Sequence, residues 1–395
     1  MLTAETLKAI QIEISSNCNA GCLECARWVN EESKQQLNPK LNFGHKGNFP
    51  IELFRNIFQA DKLKSLRGLF FDGNYGDSLI HPDALLFMEH MNKEFFTDRN
   101  FIIEVNSNGG YKDTTFWYEM GKLFAEMYKL SDNDRESSVV FGLDGIDNET
   151  HGIYRRNVVY DKVIENAQAF IKGGGRAEWK YLEFNHNSHQ VEQARETAKK
   201  LGFEKFFVKS TRWKEAAHRT IEGNKSDQIR ASATKKAKAV VIDRIPDSKK
   251  DIVEKVRKEM DAYNDYYNEV PVSCYWNFRK RVQIEYDGLV WQCCHLSGVY
   301  GSSAGFSKKE YQYYVDKFGT SWNNLHENSL DAILKHEYFN ALEDSLSNKM
   351  TDKINPRIKR CVEKCAQSEI SQHQFFRLNN QHKEKLNDGN NPDAN

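Results

Sequence analysis

The chain lacks a long apolar segment, a signal sequence and an excess of either charge. None of its apolar runs approaches the ~18–20 residues of a membrane span, and the N-terminal MLTAETLKAI has neither the charged start nor the apolar centre of a signal peptide. Lysine plus arginine equals aspartate plus glutamate, at 56 each, so no overall field favours nucleic acid or an anionic membrane. We therefore expect a cytoplasmic globular protein with neither as a partner.

Cysteine is absent from the whole middle of the chain. The 248 residues between Cys25 and Cys274 contain none, and a disulfide framework would rarely be divided in this way. In a reducing compartment, clustered cysteines are more often metal ligands or catalysts. The sequence therefore predicts two metal centres, one near each end. The eight cysteines are Cys18, Cys22, Cys25, Cys274, Cys293, Cys294, Cys361 and Cys365.

Short β-rich runs alternate with amphipathic helical segments up to about residue 209. Six such units predict an α/β fold, a parallel sheet with helices outside, open or curled into a partial (β/α)6 barrel. Active sites of these folds gather at the carboxyl ends of the strands. The cysteine loop and the segments DGNYGD, NSNGG and LDG follow the first four strands. The six predicted strands cover residues 8–15, 66–73, 101–109, 137–145, 177–185 and 204–209.

The first three cysteines have the spacing C-x3-C-x2-C on the loop after the first strand. A cubane iron–sulfur cluster with four protein thiolates is coordinatively closed, whereas three thiolates leave one iron open, as catalytic metal sites require. Cys18, Cys22 and Cys25 are therefore candidate ligands of a cluster with an open iron. The alternative is a structural zinc site completed by His45 or a distant cysteine.

This spacing closely resembles the signature of the radical S-adenosylmethionine (SAM) superfamily. The resemblance implies a [4Fe–4S] cluster whose open iron binds the amino and carboxylate groups of SAM. It also implies reductive cleavage of SAM to methionine and a 5′-deoxyadenosyl radical that abstracts a hydrogen atom from substrate. Since the strand-end segments occur in the same order as in that family, the resemblance covers most of the chain.

Two of these segments resemble SAM-contacting turns of the family. GNYGD (73–77) stands where the family has GGEP, which contacts the SAM amino group, so Gly73 and Asn74 become candidate cofactor residues. Only the leading glycine of GGEP is kept. SNG (107–109) resembles the TNG turn and adds Asn108.

A third segment, GLDG (142–145), resembles the SxDG of peptide-modifying members, whose serine contacts the SAM ribose. Gly142 lacks that hydroxyl, and Asp144 is kept. HGIYRR follows at the spacing where those members place an arginine against the SAM carboxylate. The resemblance assigns that role to Arg155, since a guanidinium can hold a carboxylate through two parallel hydrogen bonds.

The later cysteines resemble a SPASM module, which holds auxiliary clusters in radical SAM enzymes. Cys274, Gly288 and Cys293 give C-x13-G-x4-C, and RVQIEYDGLVWQCC (281–294) predicts a hairpin around its DG. An amphipathic helix is predicted over 329–346, and CVEKC supplies a closing pair. Five cysteines suffice for one four-thiolate cluster, as in the shortened twitch form, and four-cysteine zinc is the alternative. The resemblance implies the ligands Cys274, Cys293, Cys361 and Cys365.

Cys294 is left over, and three interpretations remain open. It could pack as a small buried hydrophobe, or replace Cys293 as ligand. In the third interpretation it donates a hydrogen atom to a substrate radical, as free cysteines do in radical SAM epimerases. Sulfatase-maturing relatives carry an aspartate base after the matching cysteine, so cysteine at this position disfavours the same oxidation chemistry.

The domain prediction has four parts. Residues 1–209 form the barrel and residues 271–378 the SPASM/twitch-like α+β domain. Between them, 210–270 is a linker or insertion, and the overlapping stretch 209–250 carries 12 Lys/Arg against 5 Asp/Glu. That part is either a solvated linker or an arm that binds phosphate or peptide. The polar tail 379–395 is predicted to be disordered.

The functional expectation is a radical SAM enzyme that modifies or epimerises a peptide or protein. It implies one auxiliary iron–sulfur cluster and an electron donor such as flavodoxin or ferredoxin. One alternative is oxidation or epimerisation of a sugar or other small molecule. Others are a non-enzymatic zinc protein that binds a partner or RNA, and a glycyl-radical activating enzyme, which leaves the C-terminal cysteines without a counterpart.

Overall fold

A nine-stranded sheet organises the described part of the chain. The computed structural model describes residues 2–22, 25, 28–31, 34–37, 47–74, 76–96, 101–129, 137–210, 268–297, 308–366 and 384–385. Six parallel strands form the centre of the sheet in the order β1-β4-β5-β6-β7-β8, which confirms the predicted fold class. They are β1 (Ala9–Ile12), β4 (Gly68–Phe71), β5 (Ile102–Ser107), β6 (Ser138–Gly142), β7 (Ala177–Glu183) and β8 (Lys205–Ser210).

Helices connect these strands and cover one face of the sheet. They are α1 (Ile51–Ile57), α2 (Ala84–Phe95), α3 (Thr114–Lys129), α4 (Asn148–Tyr154), α5 (Tyr160–Lys172) and α6 (Val191–Lys200). Phe141 of β6 packs between Trp117 and Phe170, with ring centroids 4.9 and 6.0 Å away. Because strand side chains alternate between faces, the residues between such core positions lie on the opposite face, called here the inner face.

The C-terminal module joins this sheet beside its first strand. The strands β9 (Arg281–Ile284) and β10 (Val290–Trp291) form the predicted antiparallel hairpin. Strand β9 pairs in parallel with β1, from Ala9 opposite Arg281 to Ile12 opposite Ile284. Gly288 lies in the hairpin turn at φ +87°, a conformation that favours glycine. The remaining elements are α7 (Tyr275–Phe278), α8 (Lys308–Phe318), α9 (Leu330–Leu334), α10 (Glu337–Ser345) and α11 (Lys359–Cys365).

Several elements differ from the sequence expectation. The single helix predicted over 329–346 is two, α9 and α10, because His336 adopts an extended conformation and its Nδ1 accepts the Tyr338 N–H at 3.1 Å. Sequence reasoning also missed α4 and the hairpin of β2 (Trp28–Glu31) with β3 (Lys34–Leu37).

Two other predictions fall largely outside the described residues. The basic part of the predicted linker, and residues 211–267 as a whole, lie there. Of the predicted tail only β11 (Glu384–Lys385) is described, and it pairs antiparallel with β8. Across the described ranges, no helix combines the length and apolarity that a bilayer crossing needs.

Candidate functional site

The first three cysteines lie on the loop that leaves β1, at the carboxyl end of the parallel strands. Cys18, Cys22 and Cys25 are all partly buried. Burial raises the pKa of the Cys22 thiol to about 12, the Arg155 guanidinium opposes that rise, and the Cys25 and Cys18 thiols add to it. The three thiols and one buried arginine therefore share one electrostatic environment, in which the cation favours thiolates.

Asp77 fastens three strand-end segments to one another. Its carboxylate accepts the Ser107 Oγ–H at 3.0 Å and the Asn108 N–H at 2.7 Å, and its own N–H donates to the Asn17 carbonyl at 2.8 Å. The side chain is almost wholly buried. Hydrogen bonds to an ionised carboxylate are among the stronger ones in proteins, so Asp77 fixes the cysteine loop against the turn after β5.

The side chain of Asn108 contacts the cysteine loop. Its Nδ2 donates to Asn19 Oδ1 at 2.9 Å and contacts Cys18 Sγ at 3.7 Å, while its Oδ1 accepts the Gly110 N–H at 2.9 Å. The predicted cofactor residue Asn108 thus lies beside the cysteines, and its amide already has partners in the protein.

The segment after β4 also lies at the carboxyl end of the parallel strands. The Asn74 N–H donates to the fully buried Glu13 carboxylate, with distances of 2.9 and 3.1 Å to its two oxygens. Within the described structure the buried Asn74 Nδ2 has no hydrogen-bond partner. Gly73 is exposed there. The segment therefore offers a peptide backbone and an unused amide donor to a ligand.

Asp144 and Arg155 form a buried ion pair beside the thiols. Arg155 Nε donates to Asp144 Oδ2 at 2.6 Å, and the Leu182 N–H donates to Asp144 Oδ1 at 2.8 Å. The Asp144 side chain is 0% exposed and that of Arg155 is 14% exposed. Both Asp144 oxygens are thus engaged by the protein, whereas the end of the guanidinium remains accessible.

Gly142 is the position against which this guanidinium packs. A Cβ added there would lie 2.5 Å from one terminal nitrogen of Arg155 and 2.7 Å from its Cζ. Glycine at 142 therefore has a physical reason: a serine side chain would occupy the space that the arginine fills.

His151 is hydrogen-bonded to the backbone of Asp144, one member of this ion pair. Its ring is fully buried and its Nδ1 accepts the Asp144 N–H at 3.2 Å. The Nε2 atom has no partner among the described residues. Burial lowers the pKa of His151 to about 4, so the fold holds the neutral ring.

Long-range contacts bring the C-terminal cysteines together. Cys361 and Cys365 are one turn apart on α11, on one side of that helix. The Ser273 N–H donates to the Cys365 carbonyl at 3.2 Å, which places Cys274 beside the helix. The Cys274 sulfur accepts the Asn277 N–H at 3.4 Å.

Cys293 and Cys294 face different surroundings. Burial raises the pKa of Cys293, and its cysteine neighbours Cys294, Cys274, Cys361 and Cys365 raise it further. Burial also raises the pKa of Cys294 to about 12, but the charged groups that act on it are Asp72, Arg281 and Glu13. Different charged groups therefore act on these two neighbouring thiols.

The C-terminal thiols supply the donor set of a four-iron cluster. Four of them line one pocket together with Trp276, Arg360 and Lys364; they are Cys274, Cys293, Cys361 and Cys365. A four-iron cluster takes one thiolate per iron, and a pocket walled by four thiols suits that donor set.

Sequence reasoning missed the residues that support these positions. Glu13, Asp77 and His151 are buried polar side chains at or beside strand ends, and each engages a predicted site residue or its backbone. For Glu13 and Asp77 the available signal was an acidic residue shortly after the end of a strand, whereas His151 lies within α4, which sequence reasoning also missed.

A family comparison covers the C-terminal module. Residues 274–366 match the family model of SPASM, described as an iron-sulfur cluster-binding domain. This match confirms the resemblance drawn from the cysteine pattern of that module. No curated protein matches the chain.

Solved structures give weak matches over long stretches. SuiB of Streptococcus suis bound to S-adenosylmethionine aligns at 12% identity and a TM-score of 0.45, covering 84% of this chain and 66% of that one. The chain therefore spans about two thirds of SuiB. The anSMEcpe structure with bound AdoMet aligns at 12% identity and a TM-score of 0.47, covering 95% and 94%. The anSMEcpe structure with AdoMet and the Cp18Cys peptide aligns at 13% identity and a TM-score of 0.45, covering 94% of this chain and 98% of that one.

Gly142→Ser tests the packing of Arg155. The new side chain must displace the guanidinium from Asp144, so we expect the free energy of unfolding to fall by about 1–3 kcal/mol, as for other overpacked sites. The matched control is Gly152→Ser, where a Cβ meets nothing within 4 Å. Urea unfolding measures both, and equal stability of the two variants would contradict the assigned packing.

His151 predicts a pH dependence of stability. Its folded pKa of about 4 lies below the ordinary 6.5, so the unfolded chain binds the proton more readily. The contribution is complete above pH 6.5 and is lost as pH falls toward 4. We expect His151→Gln, which keeps an acceptor, to lose less stability than wild type between pH 7 and 5 in urea unfolding. Exposed His189→Gln is the control, and a wild-type slope in His151→Gln would refute the assignment.

Proposed function

We propose that this chain is a radical SAM enzyme with a C-terminal SPASM/twitch-type auxiliary cluster, acting on a peptide or protein. The observation that carries the proposal is the three-thiol loop at the carboxyl end of the parallel strands. It faces Arg155, the one predicted carboxylate-binding cation. The SPASM match of residues 274–366 supplies the second iron–sulfur site.

The first site would hold its cofactors through residues of four strand ends. Cys18, Cys22 and Cys25 would hold a [4Fe–4S] cluster through three thiolates. With SAM bound, that cluster would supply the radical chemistry for hydrogen-atom abstraction from substrate. The accessible end of the Arg155 guanidinium receives the SAM carboxylate, while the exposed backbone at Gly73 and the Asn74 amide line the same mouth.

Asp144 and Asn108 act through other groups in this proposal. Asp144 holds the guanidinium at a fixed angle, since both of its oxygens are engaged within the protein. The amide of Asn108 donates toward Cys18 Sγ. A hydrogen bond to a ligating sulfur stabilises the added negative charge of a reduced cluster, so Asn108 would raise the reduction potential of the site.

The second site would bind a closed cluster through four thiolates. Its ligands are the pocket-lining Cys274, Cys293, Cys361 and Cys365. The Asn277 N–H stabilises the Cys274 thiolate. Electrons enter from a protein donor such as flavodoxin or ferredoxin.

Cys294 is proposed as the hydrogen-atom donor to the substrate radical. It is not among the residues that line the pocket of the other four C-terminal cysteines, and the charged groups that act on its thiol are Asp72, Arg281 and Glu13. Donation breaks the S–H bond, forms a C–H bond on substrate and leaves a thiyl radical. One electron from the protein donor and one proton return the thiyl to the thiol. This chemistry would invert a carbon centre without net oxidation.

The peptide assignment rests on the SxDG-like GLDG segment and its arginine. Sugars and other small molecules are the second candidate class, because the same hydrogen abstraction serves them. A zinc protein without activity is the different-class alternative, and metal analysis separates it from both.

Metal analysis after anaerobic purification tests the two-cluster proposal. We expect about eight irons and eight sulfides per chain, falling to about four of each in the Cys18/Cys22/Cys25→Ala triple variant. Wild type should release 5′-deoxyadenosine from SAM only with reductant, and the triple variant should release none. Stoichiometric zinc, with no iron and no SAM cleavage, would contradict the proposal that this chain is a radical SAM enzyme.

Two neighbouring variants test the ligand choice within the same experiment. Cys293→Ala should lose about four irons, whereas Cys294→Ala should keep all of them and still cleave SAM. Iron loss in Cys294→Ala, with retention in Cys293→Ala, would exchange the two assignments.

A further inference from the structure

The inner face of the barrel carries charged side chains that the roles above leave unused. Asp72 follows β4, Glu104 and Asn106 lie on β5, and Lys180 lies on β7. They alternate with buried core residues of the same strands, such as Phe71, Val105 and Trp179 in the core around the helices. Their side chains are half-buried.

Asn106 connects two opposite charges that do not touch each other. Its Nδ2 donates to Asp72 Oδ1 at 2.9 Å, and its Oδ1 accepts from Lys180 Nζ at 3.3 Å. Among the described residues, no ion pair within 4.0 Å joins Lys180 to Asp72. One carboxamide thus spans the distance between the ammonium and the carboxylate.

Both charged groups keep hydrogen-bonding capacity. A lysine ammonium has three N–H donors, and the Asn106 bond uses one. The second Asp72 oxygen lies 3.9 Å from the Arg281 guanidinium, outside hydrogen-bond distance. Burial lowers the pKa of Lys180 and raises the pKa of Asp72, because each ionised form has lost water. A ligand that hydrogen-bonds to both would replace that lost solvation.

Arg281 makes this side of the pocket rigid. Its guanidinium stacks between the rings of Phe70 and Trp276, with the central carbon 4.3 and 4.5 Å from the ring centroids. It also donates to Gln11 Oε1 at 2.7 Å. The wall beside Asp72 is therefore preorganised, which lowers the ordering cost of binding.

The charged pair lies between the two chemical centres of the proposed enzyme. Asp72 immediately precedes Gly73 in sequence, and it is the first charged group that acts on Cys294. On the other side, Lys180 is the register partner of Gly142 in the β6–β7 pair, and the Arg155 guanidinium packs against that glycine. A group bound between Lys180 and Asp72 would thus lie between the proposed SAM site and the proposed hydrogen donor.

We propose that Lys180 and Asp72 bind one backbone amide of a substrate peptide, Lys180 donating to its carbonyl and Asp72 accepting its N–H. This inference rests on the proposed function and deepens it. A secondary amide carries one acceptor and one donor, the same polarity with which the Asn106 carboxamide spans these groups. Recognition of a backbone amide holds the adjoining α-carbon in place whatever its side chain.

The test uses iron-loaded enzyme with SAM and reductant under anaerobic conditions. The probe is a pool of N-acetylated, C-amidated pentapeptides of random sequence. The readout is the stimulation factor, the rate of 5′-deoxyadenosine release with the pool divided by that enzyme's own rate without it. We expect the pool to stimulate wild type. Loss of a charge-assisted hydrogen bond should reduce the stimulation about tenfold or more in Lys180→Met and in Asp72→Asn.

Two further variants separate binding from folding. Lys180→Arg keeps a cationic donor and should retain part of the stimulation. Lys200→Met changes an exposed lysine of α6 and should respond as wild type. Iron content and thermal unfolding identify any variant that has not folded. If the variant at Lys180 or at Asp72 fails to fold, the variant at the other position tests the proposal.

Each remaining outcome overturns a defined statement. Wild type that cleaves SAM but is not stimulated by the pool, or variants stimulated as strongly as wild type, would overturn the amide site and leave the radical SAM proposal standing. Stimulation by free amino acids and not by the capped pool would replace the amide with a zwitterion. Wild type that releases no 5′-deoxyadenosine would overturn the proposed function and this inference together.

Discussion

The pairing of β1 with a strand on each side is the constraint on which both cysteine sites depend. Strand β4 on one edge leads to the segment at Gly73, and β9 on the other begins the hairpin that ends at Cys293. The loop leaving β1 carries the first three cysteines. Because all three strands belong to one continuous ladder of backbone hydrogen bonds, the loop and the C-terminal module have a fixed relation to each other. A separate domain on a flexible linker would not provide it.

The buried charge of Arg155 has a direct counter-charge. The Arg155 guanidinium occupies the space that Gly142 leaves, and Asp144 supplies its counter-charge at 2.6 Å. Removing an ion from water is costly, and a close opposite charge with further hydrogen bonds offsets that cost. The neutral ring of His151 accepts the Asp144 N–H. The mouth is thus built from a few polar groups whose orientation is set by the residues behind them.

Local patterns predicted the six-stranded centre of the sheet well. Apolar alternation and glycine-rich strand ends located every strand of the barrel to within a few residues, because both are properties of neighbouring positions. The prediction of one helix over 329–346 was wrong because of a local feature that leaves only a weak signal in the sequence. His336 caps the second helix through its ring nitrogen, and the spacing of hydrophobic residues does not reveal such a cap.

The sequence by itself determined the donor chemistry: three thiols on one loop, a second set in the C-terminal module that matches SPASM, and an arginine after GLDG. The tertiary structure decided their surroundings. It placed Cys293 in one pocket with three other thiols, engaged both oxygens of Asp144, and linked Lys180 to Asp72 through Asn106. Spacing along the chain fixes which residues are available. Which of them are buried, paired or facing the mouth depends on strands and helices that are far apart in sequence.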